Sequence, residues 1–129
     1  MKNFFIALSI VVLSGCAQIK SQIPSFWDDN QSAKIVDISV SAQQINCDQP
    51  HRPQALALQR ELLWFHTYGV AKGWRQADVL RLTEPIEHTV NDWVKRTETS
   101  KDNPTYCELK KKIMVEQTKR AAAAVLGRF

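Results

Sequence analysis

Glycine and proline are scarce in this 129-residue chain, at four and five residues. Collagen-like and linker-like sequences are excluded by that count, and a turn-rich β-sandwich is disfavoured. No apolar run reaches the ~20 residues that a membrane-spanning helix needs. There is no internal repeat, and no low-complexity tract beyond Ala121 to Ala124. Catalytic signatures are missing too: no H-E-x-x-H, no G-x-S-x-G and no phosphate-binding loop occurs. Ser25, Ser32, Ser39, Ser41 and Ser100 lack any flanking motif. What remains is ordinary for a folded protein, with 23% charged and 44% hydrophobic residues, which excludes wholesale disorder. The length allows one domain with one modest core, and not two.

The strongest positive feature is at the start. Lys2 supplies a positive charge, and Phe4 to Leu13 is a short apolar run. That run is too short to span a bilayer but suits the core of a signal peptide. It ends in Leu13-Ser14-Gly15-Cys16. This resembles the lipobox of bacterial lipoproteins, in which small residues precede a cysteine that is acylated and becomes the new N-terminus. The resemblance implies removal of residues 1–15, a covalent lipid on Cys16, and a lipidated tether over 16–27 leading to a domain over 28–129. Each buried methylene contributes about 0.8 kcal/mol, so two or more acyl chains hold a protein stably on a membrane. Residue 17 is Ala rather than Asp. By resemblance to enterobacterial lipoprotein sorting, that implies the outer membrane, with the domain facing the periplasm.

With Cys16 committed to lipid, Cys47 and Cys107 remain, an even number in an oxidising compartment. A disulfide between them is expected. The alternative is metal, since Cys47 and His51 have a C-x3-H spacing with Asp48 between them, but no second Cys or His lies near Cys107. No metal site is assigned.

The rest of the mature chain reads as helices. Val36, Ile38, Val40 and Ala42 alternate with polar residues in the manner of a strand, yet Ile35, Ile38, Ala42 and Ile45 share one helical face. Asp28, Asp29 and Asn30 sit where a helix N-terminus wants caps and negative charge. No other segment offers a strand partner, so helix is chosen over 29–46. Ala55, Leu58, Leu62, Phe65 and Gly69 define the face of a second helix that ends near Lys72, with Gly73 as a left-handed cap. The third, over about 76–97, carries a stripe of Val79, Leu82, Ile86, Val90 and Trp93. Pro85 inside it predicts a kink, or two helices abutting at Thr83-Glu84. Asn103 and Pro104 start the last helix, whose apolar side is Tyr106, Leu109, Ile113, Ala121 and Val125, with Cys107 at its border. The expected fold is all-α: a bundle of about four helices with one disulfide.

Candidate sites follow from these faces. Trp64, Phe65, Tyr68 and Trp74 cluster within eleven residues. Phe65 points to the core, while Trp64 and Tyr68 point away with Glu61. Either another helix covers that side or it is a partner-binding surface, as exposed Trp and Tyr are at protein interfaces. His66 falls near the apolar face, which reads as a neutral core histidine or a pH-sensitive switch. Glu84 and Glu87, one turn apart, read as solvated carboxylates rather than an acid–base pair. Residues 101–129 carry seven basic and three acidic groups, and Lys111, Lys112 and Lys119 make a basic face suited to an acidic partner or anionic envelope polymer.

No small-molecule substrate and no cofactor beyond the Cys16 lipid are implied, and nucleic acid does not belong in this compartment. The expected function is a non-enzymatic protein-binding or adapter module in the envelope, attached to the membrane by its lipid. In architecture the chain is similar to the pilotins of type II secretion, small disulfide-bonded helical lipoproteins that grip a helix of a secretin subunit. The resemblance rests on the lipobox, the placing of Cys47 and Cys107, and size, and is an analogy of fold. The chain also looks like small lipoproteins of bacteria and tailed phages. That likeness implies, as an alternative, a role in host lysis like that of spanins or in superinfection exclusion. A small envelope hydrolase is the remote third expectation.

Overall fold

A computed structural model describes residues 28–127 of the chain. The expected signal peptide over 1–15, the expected lipid on Cys16 and the expected tether over 16–27 lie outside the described residues. The elements are α1 (Asp29–Gln43), α2 (His51–Lys72), a 3-10 turn (Trp74–Gln76), α3 (Ala77–Thr99) and α4 (Pro104–Leu126). Among the described residues there is no strand.

Local chemistry starts each helix. The Asp28 carboxylate accepts from the Gln31 backbone N–H at 3.0 Å, and Asn103 accepts from that of Tyr106 at 3.1 Å with Pro104 following as the first helical residue. α2 has no cap of its own; Asp102, from the α3–α4 loop, accepts from the His51 N–H at 3.0 Å instead. The ambiguity of the first element resolves as helix. Ile35, Ile38 and Ala42 are fully buried and Ile45 nearly so, while Val36 and Val40 stand 40% and 43% exposed. A strand would have put Val36, Ile38 and Val40 on one face.

The helices run up and down in sequence, α1 packing on α2 and α4, and α3 on α2 and α4. The core gathers Ile35, Ile38, Leu58, Leu62, Phe65, Val79, Ile86, Val90, Trp93 and Met114 at its centre. Burying a side chain as large as Phe65 or Trp93 contributes about 1.5–3 kcal/mol. A Cβ on Gly69 would lie 2.6 Å from Leu80 Cδ2, so the glycine lets α3 approach the backbone of α2. Cys47 and Cys107 form the expected disulfide, joining the loop after α1 to the first turn of α4.

Three details of the helices differ from the sequence expectations. α3 is continuous through Pro85, which removes one of the two expected alternatives there, the pair of helices abutting at Thr83-Glu84. Its inward stripe runs through Thr83, fully buried, and leaves Leu82 37% exposed. Thr83 is tolerated there because its hydroxyl donates to the Leu80 carbonyl at 3.0 Å. In α4 the buried side is Cys107, Met114, Thr118, Ala121 and Val125, whereas Leu109 is 55% and Ile113 36% exposed. The disulfide turns Cys107 inward, and residues at heptad and half-heptad spacing from it follow. Gly73 has φ 95° but ψ −168°, a glycine-only extended conformation rather than a left-handed helical cap.

Candidate functional site: the outward face of α2

α2 buries Ala55, Leu58, Leu62, Phe65 and Gly69, as their spacing predicts. Its opposite side therefore points away from the bundle. Trp64 and Tyr68, one turn apart there, stack with centroids 5.0 Å apart and planes 8° from parallel. Lys34 of α1 lies 5.4 Å from the Trp64 ring and Lys72 lies 5.8 Å from that of Tyr68. Trp64 is 43% exposed.

The three residues expected to form a partner surface do not share one fate. Tyr68 is tied to the start of α1: its hydroxyl donates to Asp28 Oδ2 at 3.0 Å and accepts from Asn30 Nδ2 at 3.1 Å. Asp28 also pairs with Lys72 at 2.9 Å. Its burial pushes the Asp28 carboxyl up, but the Gln31 N–H, Lys72 and the Tyr68 hydroxyl together hold it below its ordinary 3.8. The same pairing raises Lys72 above 10.5. Glu61 points into the seam with α1, where it accepts from Ser41 Oγ at 3.0 Å. Tyr68 and Glu61 are thus largely structural, and Trp64 stays available.

Leu63 is the residue that the sequence argument missed. It is 63% exposed, the most exposed large apolar side chain among the described residues. Leu63 and Trp64 line an open depression of about 500 Å³ with Arg60, Thr67, Tyr68 and Ala71. Arg60 is the one charged residue in its lining, with Lys34 and Lys72 beside the two rings. The available signal was the pair Leu63 and Val70, seven apart on the side opposite the core spacing. The aromatic cluster drew attention past it.

A second depression, of about 490 Å³, lies between α2 and α3 and shares Arg60 and Leu63 with the first. Here His66 is not in the core. Its side chain is 44% exposed, and Nδ1 lies 3.3 Å from Glu87 Oε1. Glu87 also accepts from Thr83 Oγ1 at 3.2 Å, so it is a partnered carboxylate and not merely a solvated one. The core histidine is His51, 3% exposed, with Nε2 at 3.0 Å from the Cys47 carbonyl and Nδ1 at 3.5 Å from Asp102 Oδ1. The C-x3-H spacing of Cys47 and His51 therefore reports a disulfide and a loop clamp. Among the described residues no three His, Cys, Asp or Glu side chains group as metal ligands.

The basic face is smaller than expected. Lys111 donates to the Ile45 carbonyl at 2.7 Å, closing the chain just after α1. Lys112 and Lys119 remain exposed on α4, with Glu116 exposed between them. Among the described residues no helix is long and apolar enough to cross a membrane. No protein-family model matches the chain, and neither a characterised protein nor a solved structure matches it.

Proposed function

We propose that the protein is a lipoprotein held on the periplasmic face of the outer membrane, whose helical domain serves as a non-enzymatic adapter for another envelope protein. The observation that carries this reading is the outward face of α2. Leu63 and Trp64, 63% and 43% exposed, line one depression on a rigid helix with Arg60 in its lining and Lys34 beside the Trp64 ring. An apolar, aromatic patch with an arginine at its rim has the composition of a protein-binding hot spot. A helix supplies it without loop ordering, which lowers the entropic cost of binding. An amphipathic helix laid along α2 would fill the depression and bring an acidic residue to Arg60. The lipobox supports the address, and the disulfide suits an oxidising compartment.

The test is a crosslinked pulldown from native envelopes with the mature lipoprotein and a Leu63→Asp, Trp64→Ala variant. The proposal expects one envelope protein captured by the wild type and lost from the variant. Capture undiminished in the variant would show that the site lies elsewhere. No discrete capture by either chain would remove the adapter reading.

A further inference from the structure

The outward face of α2 has two flanks, and they differ in kind. Toward α1, the depression of Leu63, Trp64, Thr67, Tyr68 and Ala71 is mostly apolar and aromatic. Toward α3, the second depression has Leu62, 2% exposed, in its lining and two polar rungs across it. Gln59 Nε2 donates to Asn91 Oδ1 at 2.8 Å, and His66 Nδ1 lies 3.3 Å from Glu87 Oε1. Arg60 and Leu63 line both depressions, so the two form one continuous surface.

The α3 flank carries opposite charge at its two ends. The rungs set Glu87 beside His66 and Asn91 beside Gln59. Arg60 therefore stands about 9 Å along α2 from the Glu87 position. Among the described residues Arg60 has no ion pair or side-chain hydrogen bond. Glu87 accepts from Thr83 and faces His66 through Oε1, which leaves Oε2 without a partner among them. At helical spacing, the same strip of α3 continues to Glu84 on one side and to Lys95 on the other, both exposed. Glu98, one turn further on, is already met by Arg52 at 3.3 Å.

We propose that this flank reads a pair of charges on the partner's helix: an acidic side chain at Arg60 and Lys95, and a basic one about two turns away at Glu87 and Glu84. The inference rests on the adapter face proposed above and names the partner's chemistry there. Two turns of helix span about 11 Å, close to the separation of the two ends. Apolar residues between the partner's charges lie on Leu63 and Trp64 and supply the holding contact. The charges supply direction, because a reversed helix puts like charges together. Arg60 gives up no ion pair to do this, and Glu87 keeps Thr83 and His66 through Oε1.

The test uses the full chain, processed in a bacterium and held in phosphatidylcholine nanodiscs, with a photoreactive residue at Thr67. The probes are helical peptides with one shared leucine face and two variable positions about seven residues apart. Those positions carry Glu and Lys, Lys and Glu, Glu and Glu, Lys and Lys, or Gln and Gln. The peptide concentration giving half-maximal adduct is measured, and the adduct is mapped along the peptide. Both mixed peptides are expected to bind about fivefold tighter than the Gln form. Exchanging Glu and Lys should move the adduct to the opposite half of the peptide, as the helix reverses to suit. Arg60→Glu, which alters only an exposed side chain, should transfer the preference to the Lys and Lys form. Adducts lost in Leu63→Asp but equal for all five peptides overturn the inference and leave the adapter face standing. A preference that Arg60→Glu does not move also overturns it. No adduct from any peptide overturns it too, and the adapter reading is then decided by the envelope pulldown alone.

Discussion

The disulfide end and the Asp28 end of the bundle are held together by opposite means. At the first, a covalent bond, a 3% exposed histidine, a carboxylate reaching across loops and a lysine on a carbonyl fix three segments. At the second, the links include the Asp28–Lys72 ion pair and the hydrogen bonds around Asp28 and Tyr68. The end that must not come apart is cross-linked.

The largest expected effect breaks the first end. Replacing Cys47 and Cys107 together by Ala opens a link across 60 residues, worth about 4 kcal/mol in the chain-entropy description. Urea unfolding under oxidising conditions measures it, and reducing the wild type should give the same loss. Next comes His51→Ala, which strips the Cys47 carbonyl of its buried donor and should cost about 2 kcal/mol. His66→Ala, at a side chain 44% exposed, should cost far less by the same measurement.

Asp28→Ala is the counterpart at the second end. Losing the cap and the Tyr68 contact should cost about 1 kcal/mol at neutral pH. Because partners hold the Asp28 carboxyl below 3.8 in the folded state, its stabilisation is complete above that value and is lost as pH falls through the lower folded one. Wild type and variant should therefore converge in stability under acid, and a gap that widened on acidification would contradict the assignment. The α2 face comes last: Leu63→Asp with Trp64→Ala should cost no more than about 1 kcal/mol, from the lost Trp64–Tyr68 stack, while abolishing capture of the partner.

How far the sequence carries depends on the helix. α2 could be read directly, because Ala55, Leu58, Leu62, Phe65 and Gly69 are small or apolar without interruption and every one of them is buried. α3 and α4 could be located but not oriented. Their cores include Thr83 and Thr118, which look polar in sequence yet satisfy their hydroxyls on the carbonyls of Leu80 and Val115 one turn back. Meanwhile Leu82, Leu109 and Ile113 look like core and face outward. The disulfide was legible from cysteine counting. The roles of His51 and His66 were not, since both depend on which distant loop or helix brings a carboxylate. The same holds at the candidate site. Trp64 was visible by composition, whereas Tyr68 and Glu61 are drawn into structure by Asp28 and Ser41 of another segment, and Leu63 is exposed only because the neighbouring helices pack elsewhere.

The most direct test of the adapter face places a photoreactive residue at Leu63 or, for comparison, at Leu109, a leucine of similar exposure on α4, in lipoprotein resident in native envelopes. The account predicts one discrete protein adduct from position 63 and none from position 109. Equal labelling from both, or adducts from 109 alone, would contradict it.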